Sequence, residues 1–143
     1  MFDPTRAQAR RFFFDTWRKY QQREVLSAME GMALDVILLH PEYHALLDDM
    51  ERYQDKDYLP EMGDTNPFLH MSMHLAIREQ LSIDQPAGIH QRFERQLART
   101  GDAHAATHRV MECLAEMIWQ AQRSQSSFDA GIYFACLDRG GEE

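Results

Sequence analysis

A chain of 143 residues, 44% of them hydrophobic, is the size of one domain and apolar enough for a core, which excludes a globally disordered protein. Its net charge of −8 excludes nucleic acid as the main partner, because phosphate binding needs clustered Lys and Arg. No apolar run approaches the roughly 18–20 residues of a membrane helix. The start, Met1-Phe2-Asp3-Pro4, carries no apolar signal region. A cytoplasmic protein with no membrane partner is therefore expected.

The charge is unevenly spread. Residues 1–23 hold six basic and two acidic side chains (+4), which leaves −12 for the rest. A solvated helix face accounts for such an end; the alternative is a docking surface for an acidic protein partner or for a second copy in a homo-oligomer.

Asp3-Pro4 reads as an N-cap followed by proline at the first helical position, where its missing N–H costs nothing. Phe13, Trp17 and Tyr20 then recur at i, i+4 and i+7 opposite Arg11, Arg18 and Lys19, an amphipathic first helix. A second helix is expected from about Ser27 to Leu39. Pro41 biases His40 out of the helical region and opens a separate turn through Asp49. Residues 50–65 show no period, contain Pro60 and Gly63, and are net acidic, which predicts one long loop.

Asn66-Pro67 repeats the cap-plus-proline signature, and a helix runs from it to about Ser82. Phe68, Leu69, Met71, Met73, Leu75, Ala76, Ile77 and Leu81 cover nearly its whole circumference, the pattern of a buried helix. The turn at 84–88 leads to a helix over about Ile89 to Arg99. Gly101 and Asp102 then supply a C-cap and an N-cap, and a long helix follows from Ala103 to about Gln122. Ser126 or Ser127 caps a last helix ending near Leu137. Strand signals are absent. The fold class is all-α, a single-domain helical bundle over residues 1–143 with about five to six helices and one long acidic loop.

Cys113 and Cys136 lack a C-x-x-C spacing and cannot form a disulfide framework. They read as small buried apolar groups in a reducing compartment. Most of the nine methionines read as core filler.

Six of the seven histidines fall into three i, i+4 pairs. His70 and His74 lie about 40° apart on the central helix, in line with Ile77 and Leu81. His104, His108 and Glu112 follow one edge of the apolar arc of the long helix, beside Met111, Leu114, Ala115, Ile118 and Trp119. His40 and His44 are separated by Pro41 and cannot be two ligands on one continuous helix. An i, i+4 His pair turns two imidazoles to one point, and His-x-x-x-Glu does the same with a nitrogen and a carboxylate. The predicted metal ligands are therefore His70, His74, His104, His108 and Glu112, with Asp48 able to complete the set and Arg78 or Glu79 behind it. The ion is a divalent transition metal, Zn, Fe or Mn. The competing reading keeps these histidines as hydrogen-bonded core residues of a non-enzymatic interaction module, with the glutamates paired to arginines.

Neither His-Glu-x-x-His nor Glu-x-x-His occurs, which excludes zincin proteases and ferritin-like di-iron sites. His-x-x-x-His, His-x-x-x-Glu and His-x-x-x-x-Asp resemble the elements of hemerythrins in a different order. There is no glycine-rich phosphate loop and no G-x-S-x-G elbow. Nothing here decides whether the protein is an enzyme.

The run from Thr65 to Ile89, with Arg10-Arg11-Phe12-Phe13, Trp17, His40-Pro41-Glu42-Tyr43-His44, Gly101-Asp102-Ala103-His104, Met111-Glu112-Cys113-Leu114 and Trp119-Gln120-Ala121-Gln122-Arg123, resembles a proteobacterial family of domains of unknown function, family 1841. The resemblance spans nearly the whole chain. It implies a bacterial, cytoplasmic helical protein and carries no activity or catalytic residue with it.

Overall fold

The computed structural model describes residues 6–58 and 66–139. Among them all regular structure is helical: α1 (Arg6–Gln21), α2 (Ala28–Leu38), a 3-10 turn (Pro41–Tyr43), α3 (His44–Leu47), α4 (Met50–Tyr53), α5 (Pro67–Ile83), α6 (Ile89–Thr100), α7 (Ala103–Ser124) and α8 (Ala130–Arg139). The all-α class is as expected. The two extra helices, α3 and α4, are four residues each, too short for a hydrophobic period to register. Met50–Tyr53 thus replaces the start of the predicted acidic loop, and the Asp3-Pro4 cap, Pro60 and Gly63 lie outside the described residues.

The chain divides into two compact units, Met1–Leu75 and Ala76–Glu143, the division falling within α5. In the first unit α1 packs on α2 and α3. The core there is Phe13, Phe14, Trp17, Ala33, Val36, Ile37, Leu47, Phe68, Met71 and Leu75. Trp17 is buried as its i, i+4 relation to Phe13 requires, and its indole N–H donates to Asp48 Oδ1 at 2.8 Å. In the second unit α6, α7 and α8 pack on one another around Ile89, Val110, Leu114, Tyr133 and Leu137.

Helix ends follow their sequence signals. Asn66 Oδ1 accepts from the N–H groups of Phe68 (3.0 Å) and Leu69 (3.1 Å), with Pro67 at the first helical position. Asp102 accepts from Ala105 N–H at 3.1 Å, and Gly101, at φ 71°, ends α6 in the left-handed region. The last helix departs from expectation: it starts at Ala130, not after Ser126 or Ser127, because Asp129 Oδ1 takes the Gly131 N–H at 2.8 Å. Asp84 serves α6, accepting from Gly88 and His90 N–H. The His90 bond first, then the Gly88 bond, holds its carboxyl below the ordinary range.

Ser27 and Glu30 form a reciprocal capping box at α2, with bonds of 3.1 Å and 2.9 Å. Glu30 also accepts from Lys19 Nζ of α1 at 2.9 Å. The Lys19 hydrogen bond first, then the Ser27 backbone N–H, lower the Glu30 carboxyl below its ordinary value of 4.5. A lowered folded value means that the folded state favours the carboxylate. Its contribution is complete above pH 4.5 and fades as pH falls through the lower folded value. Glu30→Ala is expected to cost about 1–2 kcal/mol at pH 7, measured by urea unfolding. The gap from the parent chain should narrow only as pH falls below 4.5 and through the lower folded value, where the parent loses the charge as well; a gap of constant size would show that the carboxylate is not its source.

Three expectations are corrected. Arg10, counted with the solvated basic end, is 1% exposed. Leu69 (57% exposed) and Trp119 (49%) stand on the surface: the apolar circumference of α5 and the apolar arc of α7 are wider than what their neighbours cover. Cys113 on α7 and Cys136 on α8 are joined as a disulfide, with their Cα atoms 5.5 Å apart. The helices α7 and α8 run face to face at these positions, a pairing that spacing along the chain does not display. Closing a loop of 23 residues' separation contributes about 3 kcal/mol in the chain-entropy description.

Candidate metal centre

Within the first unit three imidazoles converge. His70 and His74 stand one turn apart on α5, and the third is His40, the second residue after the end of α2 and the one before the turn that Pro41 starts. His70 Nε2 lies 3.2 Å from His40 Nε2 and 3.2 Å from His74 Nε2. Ring centroids are 4.7–4.9 Å apart in all three pairs. His40 and His74 are each 3% exposed, and His70 is half-buried.

The tautomer of His40 follows from its other nitrogen. Nδ1 lies 2.7 Å from the Val36 carbonyl oxygen. That oxygen can only accept, so Nδ1 carries a proton, and in the corresponding neutral tautomer Nε2 presents a lone pair on the side of His70 and His74. This backbone anchoring of the far nitrogen is the arrangement that fixes metal-ligating histidines. Within the triangle itself, one proton cannot serve both of the 3.2 Å contacts that His70 Nε2 makes. His70 Nε2–H can donate to His40, but it then has no lone pair for His74; unprotonated, it faces the lone pair of His40. A cation accepts all three lone pairs at once. Two nitrogens bound at 2.0–2.1 Å with a tetrahedral angle lie about 3.3 Å apart, close to the spacing observed.

Tyr43 closes one side, its ring stacked on His40 at 5.3 Å and 9°. Burial first, then the Glu42 charge, push its phenol above the ordinary value, so at neutral pH it is a protonated hydroxyl. His44, the other half of the first sequence pair, turns away: its Nε2–H donates to the Ile37 carbonyl at 2.9 Å, and its ring lies 4.4 Å from Trp17. Asp48 is exposed and accepts from Trp17 and Gln21.

In the second unit His104 and His108, both half-buried on α7, bring their Nε2 atoms to 3.1 Å, with ring centroids 4.3 Å apart. The spacing-based expectation that each i, i+4 pair aims at one point thus describes both helices. The pairs His40/His74 and His104/His108 each place ring nitrogens within 4.8 Å, close enough to share an ion. Glu112 is placed otherwise. Its side chain is 69% exposed and its Oε2 accepts from Arg109 Nη1 at 3.0 Å. Arg78 is half-buried on α5; the neighbouring Glu79 has a buried Oε2 without a hydrogen-bond partner among the described residues.

His40 is the residue that sequence reasoning left out. Read as a helix-ending residue before proline, it lost its place among the ligands. The same proline follows the end of α2 at Leu38, and the His40 ring turns back onto the Val36 carbonyl four residues earlier. Its signal was the His-Pro-Glu-Tyr-His segment itself, which ends a buried helix with an imidazole.

The sequence model of one family, described as Domain of unknown function (DUF1841), matches residues 5–139. No curated protein and no solved structure matches the chain.

Proposed function

The chain belongs to the DUF1841 family, and we propose that in it the histidines bind a divalent transition-metal ion, with His40, His70 and His74 as ligands. The observation that carries this reading is the His40 ring, locked by the Val36 carbonyl with its lone pair turned to two further imidazole nitrogens. The donor set refines the expected metals. Neutral imidazoles suit zinc and iron; manganese prefers carboxylate and water oxygens, and of the expected carboxylates Glu112 pairs with Arg109 while Asp48 accepts from Trp17 and Gln21. Zinc is the first choice.

Three imidazoles leave one position of a tetrahedral shell. Water there gives the open site of hydrolytic zinc, whose bound water ionises near neutral pH; a fourth protein ligand gives a closed, structural site. The sequence pattern nominates His104 and His108 as further ligands, and variants at those positions separate the two cases.

The experiment is elemental analysis of protein purified without a histidine tag, before and after incubation with Zn²⁺, Fe²⁺ or Mn²⁺ and desalting. Near-stoichiometric zinc or iron is expected. Less than about 0.1 ion per chain under every condition, where a site of ordinary zinc affinity would stay filled, removes the proposal. Protein that carries metal in the parent form and in His104→Ala/His108→Ala alike has the open site.

A further inference from the structure

Helix α6 carries Arg92, Arg95 and Arg99 at i, i+3 and i+7, one stripe of its surface. Beside them Asp138 of α8 and the buried Gln96 close a notch of about 80 Å³, room for several waters. Three guanidiniums face one carboxylate, a local charge of +2 in a chain whose net charge is −8.

The groups around the notch are held in place from behind. Gln96, 3% exposed, spends its amide on the structure: Nε2 donates to the Leu137 carbonyl at 3.2 Å, and Oε1 accepts from Arg99 Nη1 at 3.2 Å. Arg92 lies over the Phe134 ring at 4.0 Å, donates to the Gly88 carbonyl, and forks onto Asp138 at 3.2 and 3.4 Å. Each nitrogen of Arg92 thus has a protein acceptor. Arg95 reaches Asp138 only at 3.6 Å, and Arg99 donates only to Gln96 among the described residues. Each guanidinium has five N–H donors, so most of those on Arg95 and Arg99 have no protein acceptor among the described residues.

We propose that this notch binds a dianionic tetrahedral oxyanion, inorganic phosphate or the terminal group of a phosphomonoester, through Arg95 and Arg99. A dianion matches the +2 charge. Two guanidiniums one turn apart offer paired donors to adjacent oxygens, the geometry in which arginine excels over lysine. Asp138 has two effects: it orients Arg92, and it competes with the anion for Arg95.

The test is titration of the full chain with inorganic phosphate and, separately, phenyl phosphate. Binding is followed by the side-chain Nε–Hε resonances of arginine at constant ionic strength set with chloride. Saturable shifts at Arg95 and Arg99 are expected. Arg95→Gln and Arg99→Gln should each weaken binding about tenfold, and Asp138→Asn should tighten it. Asp138 is half-exposed at the surface, so this variant is expected to fold, and circular dichroism checks it. Phenyl phosphate binding as well as phosphate assigns the notch to phosphomonoesters; phosphate alone assigns it to the free anion. Shifts that stay linear to about 20 mM, or an affinity indifferent to Arg95→Gln, overturn the proposal.

Discussion

Replacing His40 by alanine is expected to weaken zinc binding at least about 100-fold, since even groups that only orient a ligand are worth about 10–100-fold. His40 supplies a nitrogen whose proton is held on the far side by Val36, so its loss removes a ligand and the fixed lone pair together. His74→Ala should do the same, because His74 is as deeply buried and approaches the shared point from α5. His44→Ala is the control. It lies four residues from His40, yet its Nε2 is bonded to the Ile37 carbonyl, and zinc affinity should change less than about threefold. Competition against a chromogenic chelator gives the affinities. A thermal scan gives an independent reading, because excess ligand at about 1,000 Kd stabilises the folded state by about 4 kcal/mol. That rise should appear in the parent and His44→Ala chains and vanish in His40→Ala. Equal affinities in all three chains would refute the assignment of ligands.

The contrast between His40 and His44 also shows what is legible in such a chain. Periodicity located α5 and its cap, because Asn66-Pro67 acts within one turn of backbone and needs no tertiary information. It paired His70 with His74 and His104 with His108 for the same reason: four residues along a helix fix two side chains on one face. The third member of the first cluster depends on how the chain returns after Pro41, and no local rule carries that path. Glu112 is the opposite case. It lies on the correct edge of α7, but Arg109, three residues back, captures it at the surface. Exposure of Trp119 and Leu69 has the same origin. Helical phase gives direction, and only neighbours give cover.

Arg10 is the clearest case of a side chain whose role lies wholly in tertiary structure, and its removal is expected to have the largest effect on stability. Its Nη1 donates to the carbonyls of Tyr53 (3.3 Å), Gln54 (3.0 Å) and Lys56 (2.7 Å), which fixes the chain as it leaves α4. Its guanidinium lies 4.8 Å from the Phe68 ring and 5.6 Å from that of Tyr58. Alanine leaves three carbonyls without this donor and opens a cavity beside two aromatic rings. Since each unsatisfied buried acceptor costs about 1–3 kcal/mol and water re-solvates some of them, Arg10→Ala should lose about 3–5 kcal/mol. Urea unfolding measures the total. Trypsin cleavage after Lys56 measures the local release and should accelerate. Lysine at position 10 should recover part of the loss: an ammonium has three donors for three carbonyls but no flat face to lay on Phe68. Loss below about 0.5 kcal/mol in Arg10→Ala, the range of ordinary surface substitutions, would show that the clamp contributes nothing. The zinc-induced thermal shift should survive in Arg10→Ala, because linkage depends on ligand affinity and Arg10 Nη1 is spent on the Tyr53, Gln54 and Lys56 carbonyls. A variant that unfolds easily yet responds fully to zinc, beside His40→Ala that folds yet does not respond, would separate what holds the first unit together from what its histidines bind.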